Sequence, residues 1–280
     1  MRKRFGPLEA SVPAIGQGTW QLEHRDRREV VQALRRGLDL GLTHIDTAEM
    51  YGDGVVEEMV AEAIEGRRDE VFLVSKVLPS NASRRGTAAA CERSLRRLRT
   101  DRLDCYLLHW PSEQYPLEDT LAAFEDLRRS GAIRSYGVSN FDEALLRRAL
   151  SISGRAKLAC NQVLYHLEER HADAELIPLC EEFGISFVGY SPFGSGRFPS
   201  PQSRGGKVLA EVADAHGATP RQVALAFLTR RPSLFSIPRS SRVEHTEENA
   251  GALKLKLTAQ ELAKIDAAFP VRRAKELPTL

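Results

Sequence analysis

No stretch of this sequence approaches the ~18 consecutive apolar residues of a membrane-crossing helix, and its longest apolar runs are strand-sized. The amino-terminal MRKRFGPLEASVPAIG is basic but has none of the apolar core of a secretory signal, so no cleaved leader is expected. Cysteine is scarce: four occur among 280 residues (Cys91, Cys105, Cys160, Cys180), and none form a CxxC pair. That excludes a disulfide framework and fits a reducing, cytoplasmic setting. No block of one charge sign stands out, with 40 basic residues against 38 acidic and a net charge of +2, which argues against nucleic acid or an anionic membrane as partner. Arg-rich stretches such as 93–102 interleave with leucine at helical spacing and read as solvated helix faces. The seven histidines show neither HExxH nor another ligand spacing, so no metal site is expected. Also missing is a G-x-G-x-x-G opening a helix. Gly16-Gln17-Gly18 runs into Thr19-Trp20-Gln21, and Gly194-Ser195-Gly196 into Arg197-Phe198-Pro199, so a Rossmann dinucleotide site is not expected.

The chain instead alternates short β-rich runs with amphipathic helical stretches almost from end to end. Apparent strands end near Gly18, Asp46, Lys76, His109, Ser139, Gln162, Tyr190 and Ile237. Helices are predicted to begin near Arg27, Val55, Arg84, Leu117, Asp142 and Ala172, with two more between about Gly206 and Arg230. Thr219-Pro220-Arg221-Gln222 and Thr258-Ala259-Gln260-Glu261 carry capping-box signals. The second of these helices should run to about Phe269. Runs such as VFLVS and DCYLLHW lack alternation, as parallel strands covered on both faces do. Eight such strands with intervening helices predict a single (β/α)8 TIM barrel over residues 1–280, its active site at the C-terminal ends of the strands. The one long Gly/Ser/Pro-rich segment, Ser191–Gly206, follows a strand end and would form a loop on that active face.

Four chemically able residues sit at or just beyond successive strand ends: Asp46, Tyr51, Lys76 and His109. Singly each has a bland explanation: a cap, a core ring, a solvated strand end, a satisfied histidine. Their order beside the only two tryptophans, Trp20 and Trp110, favours a site. Tyrosine, with a reference pKa near ~10, needs roughly 3–4 kcal/mol favouring the phenolate to reach neutral range. An ammonium ~4 Å away supplies about 1 kcal/mol in bulk water and about 4 at an effective dielectric near 20. Lys76 would therefore acidify Tyr51 only in a partly dry site, for which the tryptophans are candidate walls. Asp46 would hold Lys76 charged and aimed, and a neutral His109 would orient or polarise a carbonyl oxygen.

At these residues the chain resembles the aldo-keto reductases over nearly its whole length. The motifs GQGTW (Gly16–Trp20), DTAEMYG (Asp46–Gly52), VFLVSK, LLHWP (Leu107–Pro111), GVSNF (Gly137–Phe141), NQVLYH (Asn161–His166), GYSP (Gly189–Pro192) and IPRSS with a later Glu248-Asn249 correspond in order. The narrower likeness is to bacterial reductases of methylglyoxal and related small aldehydes. The resemblance implies Tyr51 as general acid, Lys76 as its activator, Asp46 as the residue holding Lys76, and His109 as carbonyl orienter. Trp20, Tyr51, His109 and Trp110 would border the substrate. A nicotinamide would lie across the barrel mouth with Tyr190 stacked under it, and Ser139, Asn140 and Gln162 would bond its carboxamide. Gly18, Thr19, Trp20, Asp46, Ser191, Pro192, Ile237 and Pro238 complete the implied cofactor contacts, together with Glu248 and Asn249. Arg239, Ser240, Ser241, Arg242 and His245 would meet the adenosine 2′-phosphate, where guanidinium forks bind well.

NADPH is the implied cofactor. His245 stands where many relatives have arginine, and Arg239 where lysine is common, so NADH is admitted too. Only Pro270–Leu280 follows the last helix, which implies an open pocket and small substrates for a monomeric enzyme. His24 and Tyr115 are candidate pocket liners. Two rival functions are an NADPH-sensing regulatory barrel with negligible turnover and an unrelated (β/α)8 enzyme such as an isomerase or metal-dependent hydrolase.

Overall fold

Apolar runs of two to seven residues lie side by side in a computed structural model that describes residues 1–154, 157–272 and 277–279. An amino-terminal hairpin, β1 (Arg2–Arg4) and β2 (Ser11–Pro13), precedes eight strands. They are β3 (Gln17–Gly18), β4 (His44–Asp46), β5 (Phe72–Val77), β6 (Cys105–Leu108), β7 (Tyr136–Ser139), β8 (Leu158–Leu164), β9 (Ser186–Tyr190) and β10 (Leu234–Ile237). All eight pair in parallel in sequence order. The sheet closes on itself where the Gly16 N–H donates to Ser236 O (2.8 Å) and the Gly18 N–H to Pro238 O (3.1 Å). Glycine is required at that seam, because a methyl on Gly18 would stand 2.5 Å from the Ile237 carbonyl oxygen. The result is a closed parallel barrel.

Helices α1 (Arg27–Asp39), α2 (Val55–Ala63), α3 (Arg84–Leu98), α4 (Leu117–Ser130), α5 (Glu143–Ser153), α6 (Leu176–Glu182), α7 (Arg204–His216), α8 (Pro220–Leu228), α9 (Val243–Gly251) and α10 (Ala259–Ala268) follow or connect the strands. Six of the ten starts are written in capping chemistry. Asp26, Ser83, Asp142 and Ser203 each accept a first-turn backbone N–H, and Thr219 and Thr258 form full capping boxes with Gln222 and Glu261. The buried side of each helix packs on the outer face of the barrel, where Leu34, Val60, Phe124, Leu146 and Phe227 are fully or almost fully enclosed. Among the described residues no helix is long and apolar enough to cross a membrane.

Four features differ from the sequence reading, one of them α9, a helix it did not name. The sixth helix begins at Leu176, because the segment near Ala172 forms a short 3-10 turn, His171–Asp173. The last residues of the Ser191–Gly206 segment are the first turn of α7, and Gly206 lets Ser200 approach so closely that a Cβ would lie 2.0 Å from its carbonyl oxygen. The hairpin was not foreseen at all. It plugs the amino-terminal end of the barrel with Phe5, whose ring lies 4.7 Å from Phe72 and 5.0 Å from Phe235. Burying such a ring is worth about 1.5–3 kcal/mol. Lys3 caps the end of α8 by donating to the carbonyls of Thr229 (2.5 Å), Arg231 (2.6 Å) and Leu234 (3.0 Å), where a cation suits the helix dipole. With that end sealed, the opposite mouth is left for chemistry.

Candidate active site

Asp46 is the last residue of β4 and Lys76 the penultimate residue of β5, so their side chains enter the barrel from adjacent strands. Lys76 Nζ donates to Asp46 Oδ1 (2.5 Å), to Thr47 O (2.9 Å) and to the Tyr51 hydroxyl (3.2 Å), which uses all three ammonium hydrogens. Lys76 is wholly buried and Tyr51 is 8 % exposed, so the phenol is the one end of this chain that reaches open space. Tyr51 stands on a tight turn, Tyr51–Gly54, where Gly52 and Asp53 take left-handed φ values of 55° and 52°. Behind that turn, Glu49 is buried. One of its oxygens accepts from Leu78 N and Asn81 Nδ2 (2.9 Å each), and the other faces Arg93 at 3.3 Å. Glu49 thereby ties the loop carrying Tyr51 to the loop after β5 and to α3.

The other wall is a chain of polar side chains. Gln162 Nε2 donates to Asp46 Oδ2 (2.8 Å), Ser139 Oγ to Gln162 O (2.8 Å), Asn140 Nδ2 to His109 O (3.0 Å), and the Tyr190 hydroxyl to Asn140 Oδ1 (3.0 Å). Asn140 holds φ at 60°, a left-handed conformation that asparagine adopts more readily than most residues and that still costs on the order of 1 kcal/mol. His109 stacks on Trp110 with ring centres 3.9 Å apart and meets the Tyr51 ring edge-on at 5.7 Å.

Dryness sets the charge states. Burial would lower the Lys76 ammonium, but Asp46 and Tyr51 outweigh it and hold the ammonium above its ordinary range. Burial raises the Tyr51 hydroxyl above the usual tyrosine value, and Lys76 offsets this only in part. That corrects the expectation that a dry lysine brings the phenol towards neutrality. The low dielectric that strengthens the cation also penalises the phenolate, and in this resting state burial wins. Burial, reinforced by Lys76, drives the His109 imidazole well below the usual histidine range, so it is neutral. The arrangement offers a protonated phenol backed by a fixed cation, beside a neutral imidazole.

These groups open into a cavity of about 680 Å³ at the C-terminal ends of the strands. A family model described as "Aldo/keto reductase family" matches residues 14–269. The chain belongs to the aldo/keto reductase family. It is 43% identical over 270 residues to methylglyoxal reductase YeaE of Escherichia coli K12, covering 95% of this chain and 94% of that one. It is 33% identical over 262 residues to a glyoxal reductase of Bacillus subtilis 168, covering 91% and 88%. Among solved structures, an aldo/keto reductase from Klebsiella pneumoniae in complex with NADP and acetate superposes with a TM-score of 0.92 at 43% identity, covering 100% of this chain and 99% of that one.

In this aldo/keto reductase the sequence-derived positions divide into three groups. Trp20, Asp46, Tyr51, His109 and Trp110 line the cavity, as do Gly18 and Thr19. Ser139, Asn140, Gln162, Tyr190, Ser191 and Pro192 line it from β7 to β9, and Ile237, Arg239 and His245 from β10 onward. Lys76 stands behind the cavity wall, hydrogen-bonded to the Tyr51 hydroxyl. Pro238, Ser240, Ser241, Arg242, Glu248 and Asn249 stand off the cavity wall. Arg242 donates to His245 Nε2 (2.9 Å), and Glu248 accepts from Thr219 (2.7 Å), bracing α9 against α8. His24 is exposed beside Glu23, and Tyr115 packs against the outer core; neither lines the cavity. Within the tail read as too short to close the pocket, residues 273–276 and 280 lie outside the described residues.

Sequence reasoning missed Gln21, Met50 and Arg221 as lining residues, and Glu49 as support for the Tyr51 loop; it placed the segment of Phe193, Ser195 and Gly196 on the active face without singling them out. Glu49 and Met50 lie inside DTAEMYG, where a carboxylate between site residues was a readable signal. Arg221 was hidden by a helix-start motif, because capping chemistry says nothing about which way an N-terminal side chain points.

Proposed function

We propose that this protein reduces aldehydes, and ketones where they fit, to alcohols with NADPH, methylglyoxal and similar small dicarbonyls being its substrate class. The observation that carries the proposal is the unbroken Asp46–Lys76–Tyr51 chain ending at the cavity wall, 2.5 Å and then 3.2 Å per step. Relatives named for methylglyoxal and glyoxal reduction support the substrate class.

The cavity fits a dinucleotide without a Rossmann turn. Its lining offers the flat Tyr190 ring and the Asn140 and Gln162 amides, and Arg239 and His245 for phosphate. A bound reduced nicotinamide would supply the hydride to the carbonyl carbon. Asp46 fixes Lys76, and Gln162 fixes Asp46, so the ammonium points at the Tyr51 oxygen throughout. Tyr51 passes its proton to the carbonyl oxygen as charge develops there. An alkoxide is a far stronger base than a phenolate, so the transfer runs downhill even from a raised phenol. The phenolate left behind faces Lys76 directly, in a dry site where the pairing is strong. His109, neutral, orients the carbonyl while Trp20 and Trp110 exclude water.

The intact hydrogen-bonded chain opposes the sensor alternative, which needs no acid at all. Four buried cysteines with free thiols support a cytoplasmic location, and the enzyme is taken to act as a monomer. The test is loss of absorbance at 340 nm with methylglyoxal, glyoxal and longer aldehydes, using NADPH and NADH in parallel. Turnover with small dicarbonyls, faster with NADPH, is expected. Tight NADPH binding with no oxidation of it by any carbonyl would overturn the proposal.

A further inference from the structure

Arg221 is an arginine in an unfavourable place. It lies in the first turn of α8, next to the Thr219 cap, where a cation opposes the positive end of the helix dipole. Among the described residues no carboxylate pairs with it. Its guanidinium carbon lies 4.9 Å from the centre of the Phe193 ring and 5.0 Å from that of Phe198. The two rings meet edge to face, 5.8 Å apart. Both belong to the segment joining β9 to α7, so Arg221 is what that segment closes upon. A guanidinium packed over aromatic rings spends none of its N–H donors on them, which leaves the fork for an oxyanion. The same residue lines the cavity together with Ser191, Ser195 and Gly196 of the segment.

We propose that Arg221 is a phosphate ligand and latch: packed over Phe193 and Phe198, it grips the pyrophosphate oxygens common to NADPH and NADH and so keeps residues 191–203 folded over the bound dinucleotide. This rests on the dinucleotide-dependent reading above and adds to it a residue on a different element from Arg239 and His245. Those two follow β10 and are left for the 2′-phosphate. The aromatic pair pre-orients the guanidinium, so less conformational entropy is lost on binding than for a free arginine.

The test is a titration of intrinsic tryptophan fluorescence, for which Trp20 and Trp110 are the reporters in the cavity wall, with NADPH and NADH at several salt concentrations. The proteins are the wild type, Arg221→Leu and Arg221→Lys, with melting curves to establish folding. Arg221→Leu should weaken both dinucleotides by a similar factor of about tenfold or more, as expected for loss of a charge-assisted bond. It should also flatten the salt dependence, and Arg221→Lys should recover part of the loss. NADPH should protect the bond after Arg197 from trypsin in the wild type, and less so in Arg221→Leu at matched saturation. Unchanged affinities in Arg221→Leu would overturn the proposal. So would a loss confined to NADPH, which would put Arg221 on the 2′-phosphate. If the wild type itself binds neither dinucleotide, the dinucleotide-dependent reading falls; if it binds and the variants match it, only the role of Arg221 falls.

Discussion

Lys76 Nζ lies 3.2 Å from the Tyr51 hydroxyl oxygen while the same nitrogen is gripped by Asp46 at 2.5 Å, so one buried cation serves two oxygens of opposite need. The carboxylate requires the cation permanently; the phenol requires it only after giving up a proton. Several measurable consequences separate these two demands.

Removing the acid should leave the site standing. Tyr51→Phe keeps the ring that meets His109 and loses only the hydroxyl. Its kcat for aldehyde reduction should fall about a hundredfold to ten-thousandfold, the usual worth of a positioned acid. NADPH binding measured by fluorescence quenching should change little. A variant retaining most of its kcat would refute the acid assignment.

Lys76→Met should hurt twice, and the two injuries can be told apart. Asp46 would be left as a buried carboxylate without its cation, a loss of about 3–5 kcal/mol in stability. Adding Asp46→Asn should restore much of the denaturation midpoint. It should not restore turnover, because the phenolate would still lack its counter-ion. Recovery of activity together with stability would show that Lys76 serves only the fold.

Glu49→Ala leaves Leu78 N, Asn81 Nδ2 and Arg93 without their shared acceptor. A cost of about 1–3 kcal/mol in stability is expected for the stranded buried donors. The turn bearing Tyr51 should also loosen, lowering kcat more than it raises KM. Equal kcat in Glu49→Ala and wild type would mean that Glu49 holds the fold without aiming the acid.

His44 predicts acid sensitivity. Burial lowers its folded pKa from 6.5 to about 4, the nearby charges partly offsetting one another. Above pH 6.5 both folded and unfolded forms are neutral and the stability is complete. As pH falls from 6.5 towards 4 the unfolded chain takes up a proton that the folded barrel refuses, and about 3 kcal/mol is lost at 1.36 kcal/mol per unit. His44→Phe, entering the cluster of Phe5, Phe72 and Phe235, should flatten denaturation midpoints over that window. An unaltered pH dependence would assign the acid lability elsewhere.

Much of this was legible in the chain. Strand ends could be read from apolar runs because parallel strands are covered on both faces, and helix starts because caps are local chemistry. Asp46, Tyr51, Lys76 and His109 were identifiable because reactive side chains at consecutive strand ends have few other reasons to recur. The hairpin escaped because three-residue strands have no measurable period. Arg221 escaped because its neighbourhood is made by distant segments, and no local pattern encodes that. The acidity of Tyr51 was misjudged for a related reason: sequence named the cation beside it, whereas only the fold tells how much water is excluded.

The seam at Gly18 carries a final implication. β3, the first barrel strand, is only two residues long, and it meets the last, β10, right beside the cavity. Both joints of this strand are short: two residue pairs with β4, and across the seam three backbone bonds, from Gly16 to Ser236, from Ser236 to Ala14 and from Gly18 to Pro238. Warming should therefore part the ring there first, so catalytic competence should decay at temperatures where the remaining seven strands still hold.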